Sequence, residues 1–381
     1  MTVAAKVKSI TSGLLRRRSA DNVEKDQTHD QHVQNDEQEV FLPPLRPVAL
    51  PKVLPSHQYA LSEHGWTTVT YNEPTDNLHE ASQALFQASQ AFFDLPQSYK
   101  ETFKTEIGSE EGWSRIEGEK ELITLRCLGN TPKELKEAAS AYWAEAGGLL
   151  NETLGRISES LGLPAKSLTQ YSEPCAKLGS EKTATMLRLF RYEGFEGKES
   201  KTVAEPHRDL GLLSLVNGDT PGLEVWDRNV QKYYQLERTY ARPAGSLLVG
   251  RQLERLSNGR YVSGGHLVRS YPEEITSDPT KPPKPSRPYR FSIVFVLRAH
   301  SPIPVDTDNL TTSITGPYKN PLRDITANEL FSSIQSAHFN INTHIEEREV
   351  QRQRLAEQKR QLEETKGENE KAVEYQTVEA V

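Results

Sequence analysis

The sequence predicts a mixed α/β (α+β) fold in which helices flank a β-rich core at both ends. Three observations lead there: long stretches of helical periodicity before residue 165, short β-branched and aromatic segments after about residue 180, and a return to helical pattern over 323–345. A length of 381 residues admits one large domain or two ordinary ones, and it is enough to bury a core holding a dry site. A hydrophobic content of 35% beside 26% charged residues is low for a wholly compact chain, so polar tails are expected around a globular middle.

Residues 64–72 (HGWTTVTYN) read as a strand. Residues 78–95 read as a helix, with Leu85, Ala88, Phe92 and Phe93 at helical spacing and Pro96 as its stop. Thr131-Pro132-Lys133-Glu134 looks like a second helix start, with a hydroxyl N-cap, a first-turn proline and an acid three residues on. Its apolar positions run from Leu135 to Leu161, and Gly162 and Pro164 end it. Strands are then expected at 184–192, 210–216, 222–226, 246–249, 260–268 and 289–297, separated by Gly, Pro and Asn-Gly turns. Such spacing suggests a sandwich or barrel, of which the jelly roll is one form. The expected division is a disordered tail over 1–40, an N-terminal helical region over 41–178 packed on the core, the β core over 179–322, a C-terminal helix of the core over 323–345, and a charged helical or disordered tail over 346–381.

Composition removes several classes of function. A net charge of −7, with cations and anions interspersed, gives no basic footprint for nucleic acid. No stretch approaches the ~18 apolar residues of a membrane span, and no signal-peptide core is present. Two cysteines, Cys127 and Cys175, are too few for a disulfide scaffold and lack the spacing of a zinc site. A cytoplasmic location is expected. The basic, serine-containing residues 1–20 leave a mitochondrial transit peptide as the alternative.

The chemistry-bearing residues lie in the β segments. His207 and Asp209 flank Arg208, and alternate residues of a strand point the same way, so both can face one cavity. Alone this proves little, because a chance His-x-Asp has odds of about one in two in such a chain. His266 stands in a later strand segment, where a lone histidine is more often structural. Together, two imidazoles and one carboxylate form the facial triad that suits iron(II) and leaves coordination positions open. Arg290 and Ser292 would share one face of the last long strand, where they can hold a carboxylate by charge-assisted hydrogen bonds.

In this order the segments resemble the isopenicillin-N-synthase-like branch of the iron(II)/2-oxoglutarate dioxygenases over roughly residues 40–345. Leu61–Val69, Phe92–Pro96 with Lys100, Gly222–Val225 and Ser257–Tyr261 are similar to fold motifs of that family. The resemblance implies a double-stranded β-helix (jelly roll), Fe(2+) held by His207, Asp209 and His266, 2-oxoglutarate held by Arg290, Ser292 and Tyr192, and O2 as oxidant. The implied reaction is hydroxylation, desaturation or cyclisation of a small organic molecule, in specialised metabolism by analogy alone. Two departures stand out: Phe190 where many members carry asparagine, and a proline- and lysine-rich insertion over 272–288, read as a surface loop.

Three other readings compete. An iron oxidase of the same fold would use no 2-oxoglutarate, and a catalytically inactive jelly-roll binding protein would hold no metal. His207-Arg208-Asp209-Leu210 also spells the start of a kinase catalytic loop. Ser214 stands where that loop needs asparagine and no Asp-Phe-Gly follows, so a kinase is excluded. Trp226 reads as core, and His344 with Glu346 as surface. Oligomeric state is not legible.

Overall fold

The computed structural model describes residues 42–71, 75–172, 177–194, 200–271, 289–336, 338, 340–343, 346–357 and 360–361. The tail expected over 1–40, the loop expected over 272–288, Cys175 and His344 lie outside these residues. In chain order the strands are β1 (Trp66–Thr70), β2 (Gly112–Ile116), β3 (Lys120–Leu125), β4 (Met186–Glu193), β5 (Lys201–His207), β6 (Leu213–Gly218), β7 (Leu223–Asp227), β8 (Lys232–Tyr234), β9 (Ala244–Val249), β10 (His266–Ser270), β11 (Tyr289–Leu297), β12 (Pro304–Val305) and β13 (Ile325–Thr326). The helices are α1 (Ala60–His64), α2 (Asn77–Phe93), α3 (Gln97–Lys100), α4 (Lys133–Ser160), α5 (Lys166–Thr169), α6 (Arg251–Leu256) and α7 (Ala327–Ser336).

A seven-stranded sheet in the order β1-β9-β6-β11-β4-β3-β2 and a four-stranded sheet in the order β5-β10-β7-β8, both antiparallel, make the jelly roll. Strand alternation divides the large sheet between two cores. From β11, Phe291, Ile293, Phe295 and Leu297 join Phe93 of α2 and Trp143 of α4 on the helix side. From β4, Phe190 and Tyr192 join Leu223, Val225 and Val268 of the small sheet on the other. Covered on both faces, β3 reads buried at every position. Trp143 meets Phe295 edge-to-face at 5.0 Å, both fully buried, and each such side chain contributes about 1.5–3 kcal/mol by burial. Among the described residues no helix is long and apolar enough to cross a membrane.

The sequence overlooks β2, β3, β5, β8 and the two-residue strands β12 and β13. β5 escapes notice because Pro206 and its polar residues do not look like a strand, yet an edge strand of a sheet tolerates both. The strand expected over 260–268 begins only at His266. Residues 251–256 form α6, and Asn258 and Gly259 turn at positive φ (52° and 75°), with the Ser257 hydroxyl accepting from the Tyr261 amide at 3.1 Å. The expected Thr131 cap also fails: Pro132 occupies the N-cap of α4, and the Thr131 hydroxyl donates back to the Cys127 carbonyl at 2.7 Å. Over 346–357 the chain is helical, and Arg348 there is not solvated but 3% exposed, paired with Glu119 and Glu205 at 2.6 and 2.9 Å.

Gly65 closes α1 at φ +81° and touches the segment that leads into β10. A Cβ there would sit 2.3 Å from the Val262 carbonyl oxygen and 2.5 Å from the Gly264 nitrogen. Gly65→Ala is therefore expected to destabilise the fold by roughly 2–5 kcal/mol, adding a left-handed alanine (~1–2) to overpacking (~1–3). Urea denaturation measures this; a loss below about 0.5 kcal/mol, the level of an ordinary surface change, would show that the contact relaxes freely.

Candidate metal centre

His207 ends β5, His266 opens β10, and the two residues are direct partners in the antiparallel register. Their ring centroids lie 4.1 Å apart. Asp209 follows in a loop held by the start of α6, where Arg251 donates its amide to the Asp209 carbonyl at 2.8 Å and Gln252 to that of Gly211 at 3.0 Å. This closeness requires Gly250, since a Cβ there would lie 2.1 Å from the Gly211 carbonyl oxygen. As a result Asp209 Oδ1 stands 3.9 Å from His207 Nε2 and 4.0 Å from His266 Nε2.

One donor atom from each of the three residues falls within 4.8 Å of the others. Backbone carbonyls fix both rings: Nδ1 of His207 donates to Glu205 O at 2.8 Å, and Nδ1 of His266 to Gly264 O at 3.2 Å. With Nδ1 carrying the proton, both Nε2 lone pairs point at the space shared with Asp209. Burial first, and then the His266 ring, push the His207 imidazole down from 6.5 to about 3, so it is neutral at physiological pH. Burial alone would raise the Asp209 carboxyl, but His266, His207, the Ser214 hydroxyl and Arg188 outweigh it and hold the group below its ordinary value. Asp209 Oδ2 is buried with no hydrogen-bond partner among the described residues. Two imidazoles that turn Nε2 to a shared space and a carboxylate with an unsatisfied oxygen are a donor set that fits iron(II).

The three residues expected to hold the cosubstrate separate in the structure. Tyr192 and Ser292 line an inner cavity of about 50 Å3 together with His207, Asp209 and His266. Arg290 is not on that wall. Its Nε donates to Thr220 O at 3.0 Å, its Nη2 to Glu237 Oε2 at 3.0 Å, and its Cζ lies 5.6 Å from the centre of the Tyr192 ring. Ser292 Oγ donates to Asn217 O at 3.2 Å.

A larger cavity of about 590 Å3 reaches His207 and Asp209, with Arg188, Arg298, His338 and Asn342 on its walls. Glu110 grips Arg298 at 2.6 and 3.0 Å; despite its burial, this pairing holds Glu110 at about 2. Arg188 lines both cavities, and its Nε donates to Thr124 Oγ1 at 2.9 Å. Sequence reasoning missed Arg188, although period two from Tyr192 and Phe190 on β4 would have found it. Glu237 gave no signal, since its role depends on a chain reversal after β8. Trp226, read as core, is half-buried and lines a surface cavity with His207 and Arg208.

No protein-family model matches the chain. A protein of Arabidopsis thaliana named probable flavonol synthase 5 is 25% identical over 155 residues, which is 40% of this chain and 45% of that protein. The chain spans less than half the length of the curated relatives it matches. Among solved structures, JOX2 in complex with 2OG, Fe and JA superposes at a TM-score of 0.56 with 20% identity, covering 80% of this chain and 89% of that one. A full-length Neurospora crassa protein in complex with alpha-KG and 5-formyluracil also superposes at 0.56, with 18% identity over 73% of this chain and 88% of that one. These likenesses define the fold: the chain has the jelly-roll fold of those solved structures.

The neutrality of His207 carries a pH signature. Because its folded value lies below its unfolded one, its contribution to stability is complete above pH 6.5 and drains away as pH falls toward 3. In metal-free protein held in a chelator, wild type is expected to lose about 1 kcal/mol more than His207→Gln per pH unit between 6.5 and 4.5. Parallel stability curves for the two proteins would contradict a buried neutral ring.

Proposed function

We propose that the chain is a mononuclear non-haem iron(II), 2-oxoglutarate-dependent dioxygenase that oxidises a small organic molecule by hydroxylation, desaturation or cyclisation, in specialised metabolism. The observation that carries this reading is the convergence of two imidazoles, each with its proton fixed on Nδ1, and one incompletely satisfied carboxylate at one inner cavity. When bound, Fe(2+) with 2-oxoglutarate and O2 supplies the oxidising chemistry that side chains lack.

The chain's own groups bind, orient and exclude water. His207, Asp209 and His266 would hold the metal from one side and leave its other positions facing the cavities. Tyr192 and Ser292 line the inner cavity, while Val216, Leu223, Val268 and Val294 keep it largely apolar. Phe190, on the same wall, has no polar atom on its side chain and offers a ligand no hydrogen bond. Arg188 lines both cavities, where its guanidinium would steady an anionic group near the metal. The names of the similar proteins support a small-molecule substrate: flavonol synthase in one, complexes with JA and with 5-formyluracil in the others.

One observation favours a second reading. Arg290, the expected grip on 2-oxoglutarate, is already paired with Glu237, which suits an iron oxidase of the same fold that does without this cosubstrate. Succinate release separates the two. Iron-loaded protein given 2-oxoglutarate and O2 is expected to release succinate, and Asp209→Ala to lose at least about a hundredfold of that rate, as loss of a metal ligand should. Oxygen consumption without succinate would contradict the proposal and favour the second reading.

A further inference from the structure

The charge on Arg290 is balanced from within the chain. Glu237 approaches its Nη2 at 3.0 Å through Oε2 and 3.4 Å through Oε1, and the side chains of the pair are only 6% and 5% exposed. Glu237 cannot easily turn away, because its Oε2 also accepts the amides of Gly222 and Leu223 at 2.7 and 2.8 Å. The space is built for the pair. A Cβ on Gly218 would lie 2.5 Å from Arg290 Nη2 and 2.8 Å from Glu237 Oε1, and one on Gly222 would lie 2.5 Å from Arg290 Nε.

Of the guanidinium's hydrogen-bonding edges, Nε goes to Thr220 O and Nη2 to Glu237, which leaves Nη1 buried and without a partner among the described residues. A ligand carboxylate placed there would meet a donor but no net positive charge. Burying a second carboxylate beside an already balanced arginine leaves one negative charge uncompensated in a low-dielectric interior, which is strongly unfavourable. A neutral ligand tail has no such cost, and the adjoining wall of Val216, Leu223, Val268 and Val294 suits it. Arg188, which does line the inner cavity, also lines the outer one and sits beside Asp209, so it serves the metal end.

We propose that Glu237 is a specificity-determining residue of the 2-oxo-acid pocket, which by neutralising Arg290 removes the advantage of a distal carboxylate. The pocket then takes 2-oxo acids with an uncharged tail about as readily as 2-oxoglutarate. This rests on the reading of the chain as an iron(II), 2-oxo-acid-dependent oxygenase, and it narrows which 2-oxo acid that site prefers.

The test is binding, with no turnover needed. Protein loaded with Mn(2+) is titrated calorimetrically with 2-oxoglutarate and with 2-oxopentanoate, which has the same carbon chain without the distal carboxylate. Wild type is expected to prefer 2-oxoglutarate by less than about tenfold, and Glu237→Gln to raise that preference by at least about tenfold. A wild-type preference above about tenfold would overturn the inference while leaving the oxygenase reading intact. So would a folded Glu237→Gln whose preference is unchanged. If that variant does not fold, the wild-type ratio decides alone. Binding of neither acid to wild type would sink the oxygenase reading and the inference with it.

Discussion

Everything at the centre of this molecule depends on the pairing of two short strands. β5 and β10 meet in antiparallel register so that His207 and His266 are opposite one another, and a backbone carbonyl two residues before each ring holds its Nδ1 proton. A register slip by one residue would turn one imidazole to the other face of the sheet and dissolve the site. The close glycine contacts nearby, Gly65 on Gly264 and Gly250 on Gly211, leave the loops little room to drift.

Around that pairing the layers divide the work. The helix-side core supplies apolar burial through Trp143, Phe93 and Phe295, so the inner face of the large sheet is free to carry Arg188, Tyr192 and Ser292 toward the small sheet. Glu205 links the site to the C-terminal segment: its carbonyl orients His207, and its carboxylate receives Arg348 and Arg352 at 2.9 and 2.5 Å. Ile341 packs with Phe190 and Tyr192, and its carbonyl accepts from Lys120 Nζ at 2.9 Å; burial pushes this lysine down to about 7. Residues well outside the β segments thus complete the walls of the cavity.

The sequence was legible where local pattern and tertiary role agree. Helical spacing found α2 and α4, and β-branched runs found β4, β6, β7, β9 and β11, because most of their apolar positions are buried. The triad was legible as three candidate ligands in a telling order, and the structure brings all three together. Illegible features depend on contacts distant in the chain. β5 is an edge strand with a proline, and the start of β10 is set by the turn at Asn258 and Gly259. The Glu237–Arg290 pair joins residues separated by 53 positions, and nothing in either neighbourhood signals the other.

The most direct test of the account is a crystal of the protein grown with Fe(2+) under anaerobic conditions, with anomalous scattering measured at the iron edge. A single peak roughly 2 Å from His207 Nε2, His266 Nε2 and an Asp209 carboxylate oxygen is the expected result, a normal bonding distance for nitrogen and oxygen donors. A peak elsewhere, or none with the three side chains ordered, would contradict it.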